Sequence, residues 1–131
     1  MERTIVTISE SGRVNIPSIN VWMSEMELVE LFGVIAPTLR AAIRAIYKSG
    51  TLTLATTQRC DVATHKSWAI FYNLEVVISL AFRLNTYEAS RIRAKVLEGL
   101  YMRNISEINL FIALKSERND KYYQSEQNNM Q

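Results

Sequence analysis

The sequence predicts an α+β fold: a winged helix-turn-helix-like domain with a short N-terminal β-hairpin and C-terminal helices. The main observation is a pair of helical patterns over residues 24–48 that meet at a glycine. The second is alternating β-type sequence before and after this pair. With 131 residues, 48% of them hydrophobic, the chain is long enough for a core of its own. We expect one DNA-binding domain over residues 1–116 and a polar, flexible tail over residues 117–131.

The first helix of the pair carries a clear start signal and a clear stop signal. Ser24 followed by Glu27 has the spacing of a capping box. Met23 and Leu28 have the spacing of a hydrophobic staple across the same helix start. Gly33 then predicts a sharp turn, because glycine adopts a left-handed backbone conformation freely.

The second helix should begin near Ala36, with Pro37 in its first turn, where the missing N–H costs nothing. Ile35 precedes it, so no side-chain cap is expected. One face of this helix is apolar: Leu39, Ala42, Ile43 and Ile46. Another face is cationic: Arg40, Arg44 and Lys48.

The cationic stripe predicts binding to the major groove of DNA. No acidic residue occurs between Glu30 and Asp61, although the net charge of the whole chain is only +2. A helix that is basic on one face and apolar on the other suits a DNA groove. We expect this helix to face bases with Thr38, Arg40, Ala41 and Arg44. Lys48 at its end, together with Arg59 and Lys66 in the wing that follows it, should hold phosphates. An ordinary solvated basic face explains the same spacing.

The β-type segments predict two hairpins. Thr4–Ser9 and Val14–Ile16 alternate around a Ser-Gly turn, and Val21–Met23 can add a short strand before the first helix. After the second helix, Thr51–Thr57 and Trp68–Tyr72 read as the strands of a wing. Its tip, Arg59–Lys66, either contacts DNA or is a solvated loop.

Two further helices are predicted beyond the wing. Asn73 should cap a buried helix over Leu74–Leu84, because almost every residue of this stretch is apolar. Asn85 should cap the next helix, which runs to about Met102 with Leu100 facing inward and its arginines facing outward. Ile105–Leu114 is apolar enough to pair with a second subunit.

One segment resembles a known family. Tyr72–Ser79 reads Tyr-Asn-Leu-Glu followed by apolar residues and a serine, and Phe82–Thr86 continues with an aromatic-Arg-Leu-Asn-Thr step. These motifs, with the apolar approach to the Gly-Val turn in Val21–Val34, are similar to those of the virulence-protein RhuM family. The resemblance covers roughly residues 21–103. It implies a bacterial DNA-binding protein with a helix-turn-helix.

Several function classes are disfavoured by the residues present. With one cysteine, Cys60, and one histidine, His65, the chain lacks the constellation that a metal site or a nucleophilic enzyme needs. We therefore expect no enzyme activity, no cofactor and no small-molecule substrate. No run resembles a signal peptide or a membrane helix, so we expect a cytoplasmic protein with no membrane contact.

The expected partners are double-stranded DNA and a second copy of the chain, since one short helix buries too little surface for tight specific binding. The alternative is a protein-protein interaction module on the same scaffold, with no DNA binding.

Overall fold

A computed structural model of the chain describes residues 2–62 and 67–102. The chain divides into two compact units, Met1–Val96 and Leu97–Gln131. The predicted tail, the predicted domain boundary near residue 116 and the apolar segment Ile105–Leu114 all lie outside the described residues.

The first unit is a mixed α+β structure, as predicted. Its strands are β1 (Thr7–Ile8), β2 (Val14–Asn15), β3 (Trp22–Ser24), β4 (Gln58–Val62) and β5 (Trp68–Asn73). Its helices are α1 (Glu25–Phe32), α2 (Ala36–Lys48), α3 (Leu54–Thr57), α4 (Leu74–Ala81) and α5, which is helical over residues 87–102 and belongs to this unit over 87–96.

The strands form two antiparallel sheets. The predicted N-terminal hairpin is present but short: β1 pairs with β2, Ile8 opposite Val14. The larger sheet has the order β3-β5-β4, so β5, the last of the described strands, lies in the middle. Met23 lies opposite Tyr72 in the β3–β5 pair, and Gln58 lies opposite the same tyrosine in the β4–β5 pair. The β3–β5 pairing joins the chain segment before α1 to the segment before α4.

The predicted helix start and turn are confirmed in detail. The Ser24 N–H donates to Glu27 Oε1 at 2.9 Å, and the Glu27 N–H donates to Ser24 Oγ at 3.3 Å, which completes the capping box. Gly33 ends α1 with φ +64°, and its N–H donates to the Val29 carbonyl at 3.0 Å. Ile35 precedes α2 without a side-chain cap, also as predicted.

The core of the first unit lies between α1, α2, α4 and α5. The residues predicted for the apolar face of α2 are all buried: Leu39, Ala42, Ile43 and Ile46. Helix α4 is central, as predicted, and buries Val76, Val77, Leu80 and Ala81. The predicted staple residues Met23 and Leu28 are both buried in the same core. Among the described residues, no helix is both long and apolar enough to cross a bilayer.

The predicted first strand of the wing was wrong. Leu54–Thr57 forms a helical turn, and the strand begins only at Gln58. Thr57 explains the difference, because its hydroxyl is fully buried and donates to the Thr53 carbonyl at 2.8 Å. The Tyr47 hydroxyl lies 2.8 Å from Thr57 Oγ1 and donates to it, because the Thr57 hydrogen is already donated to Thr53. These bonds close a helical turn against α2 where a strand would extend.

The ends of the later helices also differ from the sequence-based expectation. Helix α4 stops at Ala81 instead of Leu84, and Thr86 caps α5 instead of Asn85, since the Thr86 hydroxyl accepts from the Ala89 N–H at 3.2 Å. Leu100 is exposed rather than inward-facing.

Two arginines of α5 that were expected to face solvent are bound to backbone carbonyls. Arg93 donates to the carbonyls of Ala81 and Leu84 at 2.6 and 2.9 Å. Arg91 donates to the Gly12 carbonyl in the β1–β2 turn at 3.0 and 2.8 Å. Arg93 thereby satisfies the Ala81 carbonyl at the end of α4, which has no partner within the helix, and the Leu84 carbonyl in the loop after it.

The Gly33 turn yields a stability prediction. Gly33→Ala should lower the free energy of unfolding by about 1–2 kcal/mol, because φ is positive there. A Cβ would also lie 3.0–3.1 Å from the Glu88 carboxylate. Urea denaturation measures the loss. Gly50→Ala is the control for the backbone effect alone, because Gly50 also has a positive φ (+77°) but has no atom within 4 Å of an added Cβ. The difference between the two losses then measures the contact with Glu88. A neutral Gly33→Ala variant would contradict the prediction.

Candidate nucleic-acid interface

The structure divides α2 into a buried face and an exposed face. The exposed face contains every residue of this helix that the sequence predicted to contact DNA: Thr38, Arg40, Ala41, Arg44 and Lys48. The helix contains no acidic residue, so positive charge is the only formal charge that it presents. The buried and exposed sets thus have the positions that the 3.6-residue period predicted.

Arg40 is engaged by an acid from the neighbouring helix. Its Nε donates to Oε1 of Glu25, and its second guanidinium nitrogen donates to Oε2 at 3.3 Å. This two-point contact favours the charged guanidinium and raises the pKa of Arg40 further above its usual value. Both side chains stay substantially exposed, so water and salt screen the pair. For Arg40 to contact a base, this pair must open.

Arg44 and Lys48 differ from Arg40 in this respect. Within the described ranges, 2–62 and 67–102, neither residue has an acidic partner within salt-bridge distance. Lys48 lies in the last turn of α2, where a cation interacts favourably with the helix dipole. Arg44 and Lys48 are one turn apart, so their charges lie on the same side of the helix.

A groove of about 740 Å³ runs beside this exposed face. The first turn of α1 and the arginines of α2 border one side of it, and the β4–β5 hairpin borders the other. Its lining residues include Glu25, Met26, Arg40, Arg44, Cys60, Trp68, Ile70 and Tyr72. Trp68 and Met26 are 71% and 73% exposed, which is unusual for large apolar side chains. The groove therefore combines cationic groups with an apolar wall formed by Met26, Trp68 and Ile70.

Sequence reasoning missed this apolar wall. Trp68 and Ile70 were assigned to a strand, but their direction depends on the pairing register of β5 with its neighbours. Cys60 lies opposite Ile70, so both point to the face that borders the groove. Tyr72, on the same face, is half-buried, and this burial raises the pKa of its hydroxyl, which stays neutral.

Arg59 is not at the tip of the wing, where the sequence placed it. It lies on β4 opposite Phe71, and its guanidinium stacks over the Trp22 ring at 5.9 Å. Asp61 on the same strand is 4.0 Å from its Nε. Arg59 thus lies at the base of the hairpin with an aromatic and an acidic neighbour. Lys66, the other predicted wing cation, lies outside the described residues.

A second cavity, of about 520 Å³, is lined by the β1–β2 hairpin, α1 and the first turn of α5. Its lining includes four glutamates: Glu10, Glu27, Glu30 and Glu88. Glu27 is paired with Arg3 at 2.7 Å. Acidic walls repel phosphate, so this cavity is no candidate for a nucleic-acid contact.

The described residues contain no group of three or more metal-ligating side chains. Cys60 and Asp61 are neighbours on β4, so their side chains point to opposite faces of the sheet. His65 lies outside the described residues.

Comparison of the chain with models of known protein families, with curated proteins and with solved structures finds no match. The resemblance to the RhuM family stays a prediction.

The Arg40–Glu25 contact yields a spectroscopic prediction. The Nε–H of Arg40 should give a separate NMR signal that exchanges slowly with water, because a carboxylate accepts it. The Nε–H of Arg44 should exchange fast and serves as the internal reference. Glu25→Gln should bring the Arg40 exchange rate close to that of Arg44. Equal exchange rates for the two arginines in the unmodified protein would contradict the observed pair.

Proposed function

We propose that the protein is a sequence-specific DNA-binding protein, and most simply a transcriptional regulator, that inserts α2 into the major groove. The observation that carries the proposal is the exposed face of α2, which holds three cations and no acid. A helix of this kind fits the major groove, and arginine makes the commonest specific contact there, to the O6 and N7 atoms of guanine.

The topology supports the same reading. Helices α1 and α2 follow each other across a tight turn, and a hairpin, β4–β5, comes after the second helix. Strand β3, directly before α1, pairs with β5 and thereby fixes the hairpin to the helix pair. A helix pair followed by such a hairpin is the layout of a winged helix-turn-helix. The fold assignment is part of this proposal.

The exposed residues divide into three roles under this proposal. Arg44 reads a base, with the small side chains of Thr38 and Ala41 allowing close approach to the groove. Lys48 holds phosphate; Arg59, at the base of the hairpin, and Lys66, which lies outside the described residues, are the further proposed phosphate contacts. Arg40 contributes once DNA displaces Glu25. The protein acts as a homodimer in the cytoplasm, without cofactor, membrane contact or catalytic activity.

A protein-interaction module is the second candidate function. The apolar wall of the groove favours it, because Met26, Trp68 and Ile70 are all exposed. Exposed apolar clusters of this kind commonly mark contact surfaces for other proteins. The two candidates differ in a measurable way, since only DNA binding depends steeply on salt.

DNA binding is tested by fluorescence polarisation with a pool of random duplexes over a salt series. The logarithm of the binding constant should fall linearly with the logarithm of the salt concentration, with a slope of roughly −0.9 for each phosphate contacted. Lys48→Ala should reduce the steepness of this slope by about one phosphate for all sequences. The absence of binding at low salt would overturn the proposal and favour the interaction module.

Sequence reading is tested by Arg44→Ala on sites selected from the same pool. This variant should lose about 1–3 kcal/mol of discrimination at one base pair, since a bidentate contact to guanine is lost. Arg13→Ala is the matched control: it removes the same charge from an exposed position on the β1–β2 turn, away from α2. Equal losses for the two variants would show that α2 does not read sequence.

The Glu25 carboxylate should weaken DNA binding in the unmodified protein, because it occupies Arg40 and adds negative charge beside α2. Glu25→Gln is expected to raise the affinity by roughly two- to fivefold at low salt, a modest gain because the pair is exposed. Glu75→Gln removes an equivalent acid from the first turn of α4 and is the control. A gain of equal size in both variants would mean that only net charge matters.

A further inference from the structure

Strand β4 is the outer strand of its sheet over the described residues, and its outer edge has no strand partner there, although the Gln58 N–H at the start of that edge is bonded to α3. The hydrogen bonds show which backbone groups face that edge. The Gln58 N–H donates to the Leu54 carbonyl, and the Val62 N–H donates to Asp61 Oδ1 at 2.7 Å, so neither donates to β5. Because backbone groups alternate along a strand, Cys60, between these two, also directs its N–H and C=O to the open edge.

The charges of β4 are self-complementary. The strand reads Gln-Arg-Cys-Asp-Val, with Cys60 at its centre. If a second copy of β4 pairs antiparallel across a two-fold axis at Cys60, Arg59 of each copy lies opposite Asp61 of the other. These would be non-hydrogen-bonded positions, where opposing Cα atoms are only about 4.5 Å apart and side chains are closest.

The apolar residues match in the same register. Cys60 lies beside Ile70 on the groove face of the hairpin. Pairing of the two strands at Cys60 places Ile70, Cys60, the second Cys60 and the second Ile70 in one row across the sheet. Cross-strand rows of apolar side chains stabilise antiparallel sheets. Val62 and Trp68, which are 47% and 71% exposed, lie in the adjacent row.

We propose that the open edge of β4 is a homodimer interface, at which two copies of the chain form one six-stranded sheet centred on Cys60. The occupant is a second copy, because the strand is complementary to itself: a copy of it supplies an acid opposite Arg59 and an arginine opposite Asp61 in one register. The Val62 N–H exchanges its contact with Asp61 for the Gln58 carbonyl of the second copy. This exchange releases the Asp61 carboxylate for Arg59 of the second copy.

The geometry of this dimer has a consequence for the exposed helices. The two-fold axis of an antiparallel strand pair centred in this way is perpendicular to the sheet. Both copies therefore present the same sheet face, and the groove beside α2, on the same side of the assembly. In this dimer Arg59 pairs with Asp61 of the second copy rather than with phosphate, so the phosphate contacts of the proposed function fall to the other cations. The interface is measured in the absence of DNA, so it can fail while DNA binding by α2 holds.

Sedimentation velocity with charge-reversal variants tests the interface. The unmodified chain should dimerise in the micromolar range, as expected for a small interface. Arg59→Asp and Asp61→Arg should each weaken the dimer by at least about tenfold, since each places like charges opposite one another. An equimolar mixture of the two variants should form heterodimers, and the Arg59→Asp/Asp61→Arg double variant should recover the homodimer. Arg13→Asp is the control for net charge.

Cross-linking at Cys60 gives an independent readout. Opposing hydrogen-bonded residues of an antiparallel pair have Cα atoms about 5.5 Å apart, which is within the range of a disulfide. Mild copper-catalysed oxidation should therefore convert the protein to a covalent dimer, and Cys60→Ser should prevent this. A monomer at concentrations up to about 500 µM, far above the affinity expected of a small specific interface, would overturn the proposal. A dimer that tolerates both charge reversals would overturn it as well.

Discussion

The pairing of β3 with β5 is the interaction on which the rest of the first unit depends. Strand β3 leads directly into α1 at Ser24, and β5 leads directly into α4 at Asn73. Each of these residues caps its helix with a side-chain oxygen, so the ends of two paired strands are also the starting points of two helices. Loss of the β3–β5 pairing would therefore free the starts of α1 and α4, the two helices that pack on the apolar face of α2.

The same pairing is reinforced from the N-terminus. Arg3 donates to the Trp22 carbonyl at 3.0 Å and to Glu27, and its guanidinium stacks over Phe71 at 4.9 Å. One side chain thereby contacts β3, α1 and β5. The Arg3 and Glu27 side chains keep 29% and 26% of their surface accessible, so water and salt partly screen this ion pair.

The sequence predicted those elements of the fold that depend on local signals. The capping box at Ser24, the turn at Gly33 and the cap at Asn73 each require residues close together in the chain, and the structure contains all three. The prediction of the first wing strand was wrong because the alternating residues of Thr51–Thr57 resemble a strand. The strand in the structure, Gln58–Val62, has no alternation of apolar and polar residues. Its position is fixed by pairing with β5, which is not a local property.

The residues of the candidate interface also fall into those predictable from local sequence and those that depend on long-range packing. The exposed positions of α2 follow from helical periodicity alone and were predicted correctly as a set. The engagement of Arg40 by Glu25 was not predictable in the same way, because these residues are 15 positions apart and meet only after α1 and α2 pack together. The apolar wall of Trp68 and Ile70 likewise depends on the register of a sheet.

The separation of buried from exposed residues along α2 has an evolutionary consequence. Leu39, Ile43 and Ile46 belong to the core, whereas Thr38, Ala41 and Arg44 contact little of the protein interior. Substitutions at exposed positions generally change stability by less than about 0.5 kcal/mol. The outer face of this helix can therefore acquire new binding preferences by single substitutions while the fold stays intact, so that one scaffold can diverge to many targets.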